Sequence, residues 1–191
     1  MGDSEVVHRA PGHVTPEEAK DLADLVDAVA DEFVPSLRHR SSTTDQVLTG
    51  RAGGDVSGYV NEMLAQDNLL VYESGTLVAF MSFKAKHSVP ALSHLGEFIY
   101  VSTIAVRPDR RRSGYARRLY EELFSLPGDP AEWVVVRTWS TNDAHVPLLH
   151  QLGFRLLLTQ EDHRGAGVHT LYFGRPRGGP VEGTAADLAT R

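Results

Sequence analysis

Arginines are concentrated in one short segment of this chain, at residues 107–118, where six of them surround Gly114. The segment follows an apolar, β-branched run that ends at Val106, and it precedes apolar residues at helical spacing. A strand that leads through a glycine-containing turn into a helix leaves main-chain N–H groups without partners at the helix N-terminus. The partial positive charge of that terminus favours anions, so the segment predicts a phosphate-binding site.

Two common phosphate-binding motifs are absent from the segment. It lacks the Gly-x4-Gly-Lys-Ser/Thr spacing of a P-loop and the Gly-x-Gly-x-x-Gly spacing of a dinucleotide fold. The net charge of −6 argues against general nucleic-acid binding, so an arginine patch in this acidic chain suits a compact polyanion such as a phosphorylated cofactor. The alternative interpretation is that arginines of this patch, Arg117 and Arg118 in particular, lie on a solvated helix face and bind no ligand. No spacing of His, Asp and Glu predicts a metal site.

Two motifs resemble the GNAT superfamily of N-acetyltransferases. The run Arg111-x-x-Gly114-x-Ala116 is similar to the Arg/Gln-x-x-Gly-x-Gly/Ala loop that holds the pyrophosphate of acetyl-coenzyme A in that family. The segment from Asn142 to Phe154 resembles the family's Asn-x-x-Ala-x-x-Leu-Tyr-x-x-x-Gly-Phe. The resemblance covers about residues 15 to 174. It implies acetyl-CoA as the cofactor and transfer of an acetyl or short acyl group to a primary amine by direct attack.

The resemblance also assigns residues to the cofactor. The main chain of Ile104, Ala105 and Val106 is expected to hydrogen-bond the pantetheine arm and the thioester. The pyrophosphate is expected at the N–H groups of Arg111, Arg112, Ser113, Gly114, Tyr115 and Ala116. Asn142 is expected to reach the cofactor arm from the other side of the cleft, with capping of the following helix as the alternative.

Three catalytic roles follow from the same resemblance. The N–H group of Val106 is the expected oxyanion donor, and Glu97 is the expected general base, with a solvated strand-end glutamate as the alternative. The family's tyrosine that protonates the leaving thiolate falls on Leu149, which donates nothing. The proton donor is therefore left open among Tyr115, Tyr120, Tyr172 and water.

The missing tyrosine leaves other functions open. One alternative is a non-catalytic domain that binds or senses acyl-CoA, and another is a domain that retains only the fold. For an enzyme, the expected partner is a small-molecule or peptide amine, and relatives suggest a homodimer. In the family the region between the first two helices forms a wall of the acceptor site, so residues 38–40 (Arg-His-Arg) either contact an acidic substrate or are solvated.

The bulk properties indicate a soluble domain with a substantial core. The chain has 191 residues and no cysteine, which excludes covalent cysteine catalysis. It shows no secretory signal and no membrane span, so no membrane partner and a cytoplasmic location are expected. We predict a flexible leader or edge strand over 1–14, a GNAT acetyltransferase domain over 15–174 and a flexible tail over 175–191.

The order of predicted elements indicates an α/β fold. Two helices, a hairpin, a strand, a helix, a strand, a helix and two strands follow one another along the chain. The family resemblance implies a mixed six- to seven-stranded sheet that is splayed at its centre and carries helices on both faces. Local signals include a helix start at Thr15, a helix cap at Asp55 and a hairpin turn at Ser74-Gly75.

Overall fold

The computed structural model describes residues 4–40, 42–44, 54–127 and 131–178. These residues form seven strands and four α-helices. The strands are β1 (Ser4–Arg9), β2 (Asp67–Glu73), β3 (Thr76–His87), β4 (Phe98–Val106), β5 (Trp133–Trp139), β6 (Arg155–Gln160) and β7 (Thr170–Pro176). The helices are α1 (Pro16–Val29), α2 (Ser57–Leu64), α3 (Tyr115–Ser125) and α4 (His145–Gln151).

All seven strands belong to one open mixed sheet in the order β1-β2-β3-β4-β5-β7-β6. The contact between β4 and β5 is parallel, and the other neighbouring pairs are antiparallel. The first strand lies at the edge of the sheet, paired with β2. This topology confirms the predicted mixed α/β sheet.

Helices cover both faces of the sheet, as predicted. On one face, Leu22 and Val26 of α1 and Met63 of α2 pack on Leu70 and Phe80. On the other face, α3 and α4 pack on the alternate residues of the central strands, and this cluster contains Leu119, Leu149, Val101, Met81 and Val136. The period-two alternation of the strands thus divides the core into two layers.

The two central strands separate towards their carboxyl ends. Strands β4 and β5 pair at only three positions, from Ile99 with Val134 to Val101 with Val136. Beyond them, β4 stays paired with β3 up to Val106, and β5 stays paired with β7 up to residue 139. Because each strand keeps its outer neighbour, a gap opens between the carboxyl-terminal halves of β4 and β5.

Local sequence signals predict where the first two helices start, and one of the two predicted caps is wrong. The side chain of Thr15 accepts the N–H of Glu18, and the carboxylate of Glu18 accepts the N–H of Thr15, which forms the predicted capping box. The predicted cap at Asp55 is wrong, because Val56 occupies the N-cap of α2. Asp55 instead accepts the N–H of Ser57 in a local turn before the helix.

Some predicted segments lie partly outside the described residues. These are residues 1–3 of the leader, 41 and 45–53 of the loop between the first two helices, 128–130 of the turn after α3, and 179–191 of the tail. Strand β7 extends to Pro176, which places the first residues of the predicted tail in the sheet. Among the described helices, none is long and apolar enough to span a bilayer.

Candidate active site

The loop between β4 and α3 reverses the chain at Gly114. Gly114 has a φ of +83° and occupies the N-cap position of α3, and Arg112 has a φ of +62°. A Cβ atom added at Gly114 would meet no protein atom within 4 Å. The left-handed backbone, rather than crowding by the protein, is therefore what favours glycine at this position.

The main-chain N–H groups of this loop are available to a ligand. The first hydrogen bond at the start of α3 runs from the N–H of Arg118 to the carbonyl of Gly114, at 3.0 Å, and no side chain caps the helix. Within the described residues, the N–H groups of residues 111–117 meet no protein acceptor. Several convergent N–H groups at a helix N-terminus form an anion-binding arrangement.

The arginine side chains of the loop are mostly engaged by the protein itself. Arg110 pairs with Glu73 at 2.8 Å, and Arg111 pairs with Glu32 at 2.6 Å. Arg107 bonds Asp109, Arg117 bonds Gln151 and Arg118 bonds Ser4. The net positive charge of the patch is thus smaller than the sequence suggests, and the main-chain N–H groups are the more accessible anion donors.

The register of β4 determines which of its polar groups face the gap. The N–H of Arg107 donates to the carbonyl of Val78 at 2.8 Å, and Ala79 lies opposite Val106. Since successive residues of a strand direct their polar groups to opposite neighbours, the N–H and C=O groups of Ile104 and Val106 point towards β5. Those of Ala105 point towards β3, where Ala105 lies opposite Phe80.

The gap and the loop therefore adjoin each other. Val106 is the last residue of β4, so its N–H group lies where the gap is widest and the chain turns towards Gly114. Its carbonyl accepts a long hydrogen bond of 3.4 Å from Nε of Arg111. Main-chain donors in the gap and main-chain donors in the loop form one continuous polar surface.

Glu97 lies at the opposite end of the same strand. It is exposed and immediately precedes Phe98, the first residue of β4, whereas Val106 ends that strand. At about 3.3 Å per residue, nine residues separate the two by roughly 30 Å. The structure thus does not bring Glu97 to the gap, and we assign it no catalytic role.

The side chain of Asn142 is used within the protein. Its Oδ1 accepts the N–H of His145 at 3.1 Å at the start of α4, and its Nδ2 donates to Oγ1 of Thr138 at 3.2 Å. These bonds hold the turn that precedes α4, but Asn142 does not cap the helix, because Ala144 occupies the N-cap position and no side chain caps it. The expected contact with the cofactor arm stays a prediction.

The candidate proton donors differ in their surroundings. Leu149 is fully buried in the core, and the hydroxyl of Tyr115 donates to Glu73 at 2.9 Å, at the end of the β2–β3 hairpin. The hydroxyl of Tyr120 bonds Nε2 of His145 at 2.9 Å. Burial raises the pKa of Tyr120 above its ordinary value and lowers the pKa of His145 to about 4, so the pair is neutral at pH 7.

The structure also brings together residues that sequence reasoning missed. Arg137 of β5 and Arg164 of the β6–β7 loop lie near Arg40, on the face of the sheet that carries α1 and α2. Of these, only Arg40 was named from the sequence. A charged residue inside the run Val134-Val-Val-Arg137-Thr-Trp139 was the available signal, because arginine in a central strand rarely serves packing alone.

Comparison with known proteins identifies the family. Residues 28–154 match the model of the Acetyltransferase (GNAT) family. No curated protein sequence matches the chain.

Solved structures share the fold at low sequence identity. A GNAT-family acetyltransferase from Bacillus cereus is 15% identical, with 92% of this chain and 98% of that chain covered and a TM-score of 0.62. The ribosomal-protein-S18-alanine N-acetyltransferase of Escherichia coli is 14% identical, with coverages of 95% and 98% and a TM-score of 0.58. An aminoglycoside 6′-N-acetyltransferase complexed with coenzyme A is 13% identical, with coverages of 90% and 97% and a TM-score of 0.63. The family match over most of the chain, together with the splayed sheet and the open loop, shows that the protein belongs to the GNAT acetyltransferase family.

Proposed function

We propose that this protein is an acetyl-CoA-dependent N-acyltransferase that moves an acetyl or short acyl group to a primary amine by direct attack. The observation that supports the proposal most is the row of N–H groups at residues 111–117, which meet no acceptor in the part of the chain that the structure describes and which adjoin the gap between β4 and β5. A diphosphate needs such donors, and an extended arm needs a strand edge with free polar groups. The free N–H groups lie in the loop that directly follows β4, and the free edge of β4 lines the gap.

The loop and strand β4 would bind different parts of the cofactor. The N–H groups of residues 111–117 would hold the diphosphate, and Gly114 gives the loop the backbone conformation that exposes them. The main-chain groups of Ile104 and Val106 would pair with the pantetheine arm as an additional strand. When bound, acetyl-CoA supplies the acyl thioester. The N–H of Val106 is held by its strand and would donate to the oxyanion that forms in the gap.

A non-catalytic acyl-CoA-binding domain is the second candidate. Leu149 occupies the position of the family's acid and is buried, and the hydroxyls of Tyr115 and Tyr120 are bonded elsewhere. These observations favour a domain that binds without turnover, unless Tyr172 or water delivers the proton to the departing thiolate.

Binding and turnover separate the candidates. Acetyl-CoA at ~100 times its Kd should stabilise the fold by ~2.7 kcal/mol. Release of free thiol should then be measured against peptides, amino acids, polyamines and aminoglycosides. Stabilisation with amine-dependent thiol release supports the enzyme, and stabilisation with no release across the panel supports the binding domain. Absence of stabilisation contradicts both.

A further inference from the structure

A hydrogen bond between two aromatic side chains joins α3 to α4. The hydroxyl of Tyr120 in α3 lies 2.9 Å from Nε2 of His145, the first residue of α4, and the two rings are stacked with their centroids 6.0 Å apart. On this face of the sheet α3 packs on β2, β3 and β4, whereas α4 follows β5. The bond therefore links the helix on the β4 side of the gap to the helix on the β5 side.

The start of α4 lies beside the separated half of β5. Thr138 stands in β5 beyond the last pair with β4, and its hydroxyl accepts a hydrogen bond from Nδ2 of Asn142 at 3.2 Å. The other end of the same side chain, Oδ1 of Asn142, accepts the N–H of His145 at 3.1 Å. Val146 packs against the same core cluster as Ile104, which lies in the separated half of β4. These contacts place His145 next to the gap.

The hydroxyl of Tyr120 fixes the tautomer of His145. Tyr120 is fully buried, and in the described part of the chain its hydroxyl meets one acceptor, Nε2 of His145. Because buried hydroxyls are nearly always hydrogen-bonded, the O–H of Tyr120 donates to Nε2. Burial lowers the pKa of His145 to about 4, so the ring is neutral at pH 7. A neutral ring that accepts at Nε2 carries its hydrogen on Nδ1.

The Nδ1–H group of His145 is accessible to a ligand. Over residues 4–40, 42–44, 54–127 and 131–178, no acceptor bonds Nδ1, and Nδ1 is not one of the buried side-chain atoms that are without a partner. The residue is also partly exposed, unlike Tyr120. The pair thus presents one accessible N–H donor, in a fixed tautomer, beside the gap.

This donor lies one helical turn from the position where the family's acid is missing. The motif Asn-x-x-Ala-x-x-Leu-Tyr has alanine at position 145 and tyrosine at position 149, where this chain has His145 and Leu149. Side chains four residues apart lie on the same face of a helix. Leu149 is fully buried and has no donor. The chain therefore lacks a donor at position 149 and has one at position 145 on the same face.

We infer that the Nδ1–H group of His145, held in this tautomer by Tyr120, donates a hydrogen bond to the sulfur of the departing thiolate. The inference rests on the proposed function and supplies the donor that Leu149 lacks. The amine nitrogen forms its bond to the acyl carbon, the C–S bond breaks, and the electron pair of that bond stays on sulfur. Water takes the proton that the nitrogen releases, and water delivers a proton to the sulfur.

In this step His145 stays neutral and acts through its hydrogen bond. A neutral imidazole is a weak acid, yet it serves enzymes as a hydrogen-bond donor to developing negative charge. A donor that is oriented before the reaction stabilises such charge most in a site that excludes water. Tyr120 is the positioning residue, because it sets which ring nitrogen carries the hydrogen.

Two substitutions of His145 test the donor. The side-chain amide of asparagine reaches the position of Nδ1, whereas that of glutamine extends towards the position of Nε2. We expect His145→Gln to lower kcat about 10- to 100-fold, the range of a hydrogen bond to a charged group, with the Kd for acetyl-CoA nearly unchanged. His145→Asn should retain most of the native kcat. A native kcat in His145→Gln, or equal losses in both variants, would overturn the inference.

Two further variants separate the pair from its surroundings. Tyr120→Phe leaves Nε2 without its donor, so the ring takes up both tautomers and kcat should fall, but less than in His145→Gln. His150→Ala is the matched control, because His150 is exposed on the same helix and contacts the ring of Phe173, with centroids 5.2 Å apart. Its kcat should equal that of the native chain. Equal losses in His150→Ala and His145→Gln would contradict the assignment.

Ionisation of bound coenzyme A gives a readout that does not depend on turnover. A donor at the sulfur stabilises the thiolate, so the acid dissociation constant of the bound thiol should be about 10- to 100-fold larger in the native complex than in the His145→Gln complex. Ultraviolet absorbance of the thiolate measures it, with the desulfo-coenzyme A complex as the blank for tyrosine ionisation. Equal constants in the two complexes would refute the role of His145 while cofactor binding stands. Failure of coenzyme A to bind contradicts the proposed function and this inference with it.

Nitrogen NMR of the free protein tests the tautomer directly. With nitrogen-15 in the histidines, the ring signals that disappear in His145→Gln should show a protonated Nδ1 and an unprotonated Nε2 at pH 7. An imidazolium, or a hydrogen on Nε2 instead, would overturn the assignment without any cofactor present.

Discussion

Replacement of Gly114 by valine tests whether the loop binds the cofactor through its main chain. The left-handed conformation of Gly114, at a φ of +83°, costs about 1–2 kcal/mol for a residue with a Cβ atom. A domain of this size loses about 2–4 °C in melting temperature per kcal/mol, so the free variant should melt about 2–8 °C lower. The valine side chain would also project into the open space beside the free N–H groups.

Gly12→Val is a matched control for this strain. Gly12 has a φ of +76°, and a Cβ atom there likewise meets nothing within 4 Å, but Gly12 lies between β1 and α1. The two variants should therefore lose similar stability without ligand. Only Gly12→Val should keep the response to acetyl-CoA.

Scanning calorimetry with acetyl-CoA at ~100 times its Kd provides the assay. The stabilisation of ~2.7 kcal/mol corresponds to a shift of about 5–11 °C for the native chain. We expect the same shift for Gly12→Val and little or none for Gly114→Val. A full shift for Gly114→Val would refute the argument that the amides of this loop hold the diphosphate, and loss of the shift in both variants would indicate a general defect of folding.

Three further changes should separate structural from catalytic roles. Burial lowers the pKa of His145 from 6.5 to about 4 in the folded protein, so between these pH values the unfolded chain binds one more proton. The free energy of unfolding should therefore fall as the pH drops from 6.5 to 4, by up to about 1.4 kcal/mol per pH unit. In urea unfolding, the free energy of unfolding of His145→Gln should depend less on pH. Asn142→Ala removes a hydrogen bond in the turn before α4 and should cost about 1 kcal/mol. The Kd for acetyl-CoA, measured by titration calorimetry, should stay within about twofold, and a tenfold weaker Kd would instead support the predicted cofactor contact. Glu97→Gln should leave kcat and its pH profile unchanged, whereas a lower kcat together with loss of the acidic limb of the profile would support Glu97 as the base.

The phosphate-binding loop was predictable because its signals are local. An apolar strand, a glycine and an amphipathic helix follow one another within residues 99–124, so the free N–H groups arise from short-range geometry. The gap between β4 and β5 was expected only from the family resemblance. It depends on which strands pair, and no residue of β4 alone specifies that pairing.

The arginine cluster was not predictable from local patterns. Arg40 and Arg164 are separated by 124 positions along the chain and meet because the loop after α1 and the β6–β7 loop cover the same face of the sheet. Arg38 and Arg40 are two residues apart and looked equivalent, yet one pairs with carboxylates outside α1 and the other is directed inward. Side-chain direction in an irregular loop follows tertiary contacts.

The prediction for Glu97 rests on a different kind of signal. The family resemblance alone assigns the general base to it, because carboxylates occur on the corresponding strand in relatives. A strand that ends with its oxyanion donor at Val106 and begins at Phe98 already places Glu97 at its far end. The length of the strand therefore argues against that role, and the Glu97→Gln variant tests it.

Amide hydrogen exchange with and without acetyl-CoA tests the central claim most directly. The N–H groups of residues 111–117 have no protein acceptor among the described residues, so they should exchange rapidly in the free protein. On saturation with acetyl-CoA, the account predicts slowed exchange over residues 111–117 and at Ile104 and Val106, with smaller changes elsewhere. Saturable binding that leaves exchange in this loop unchanged would contradict it.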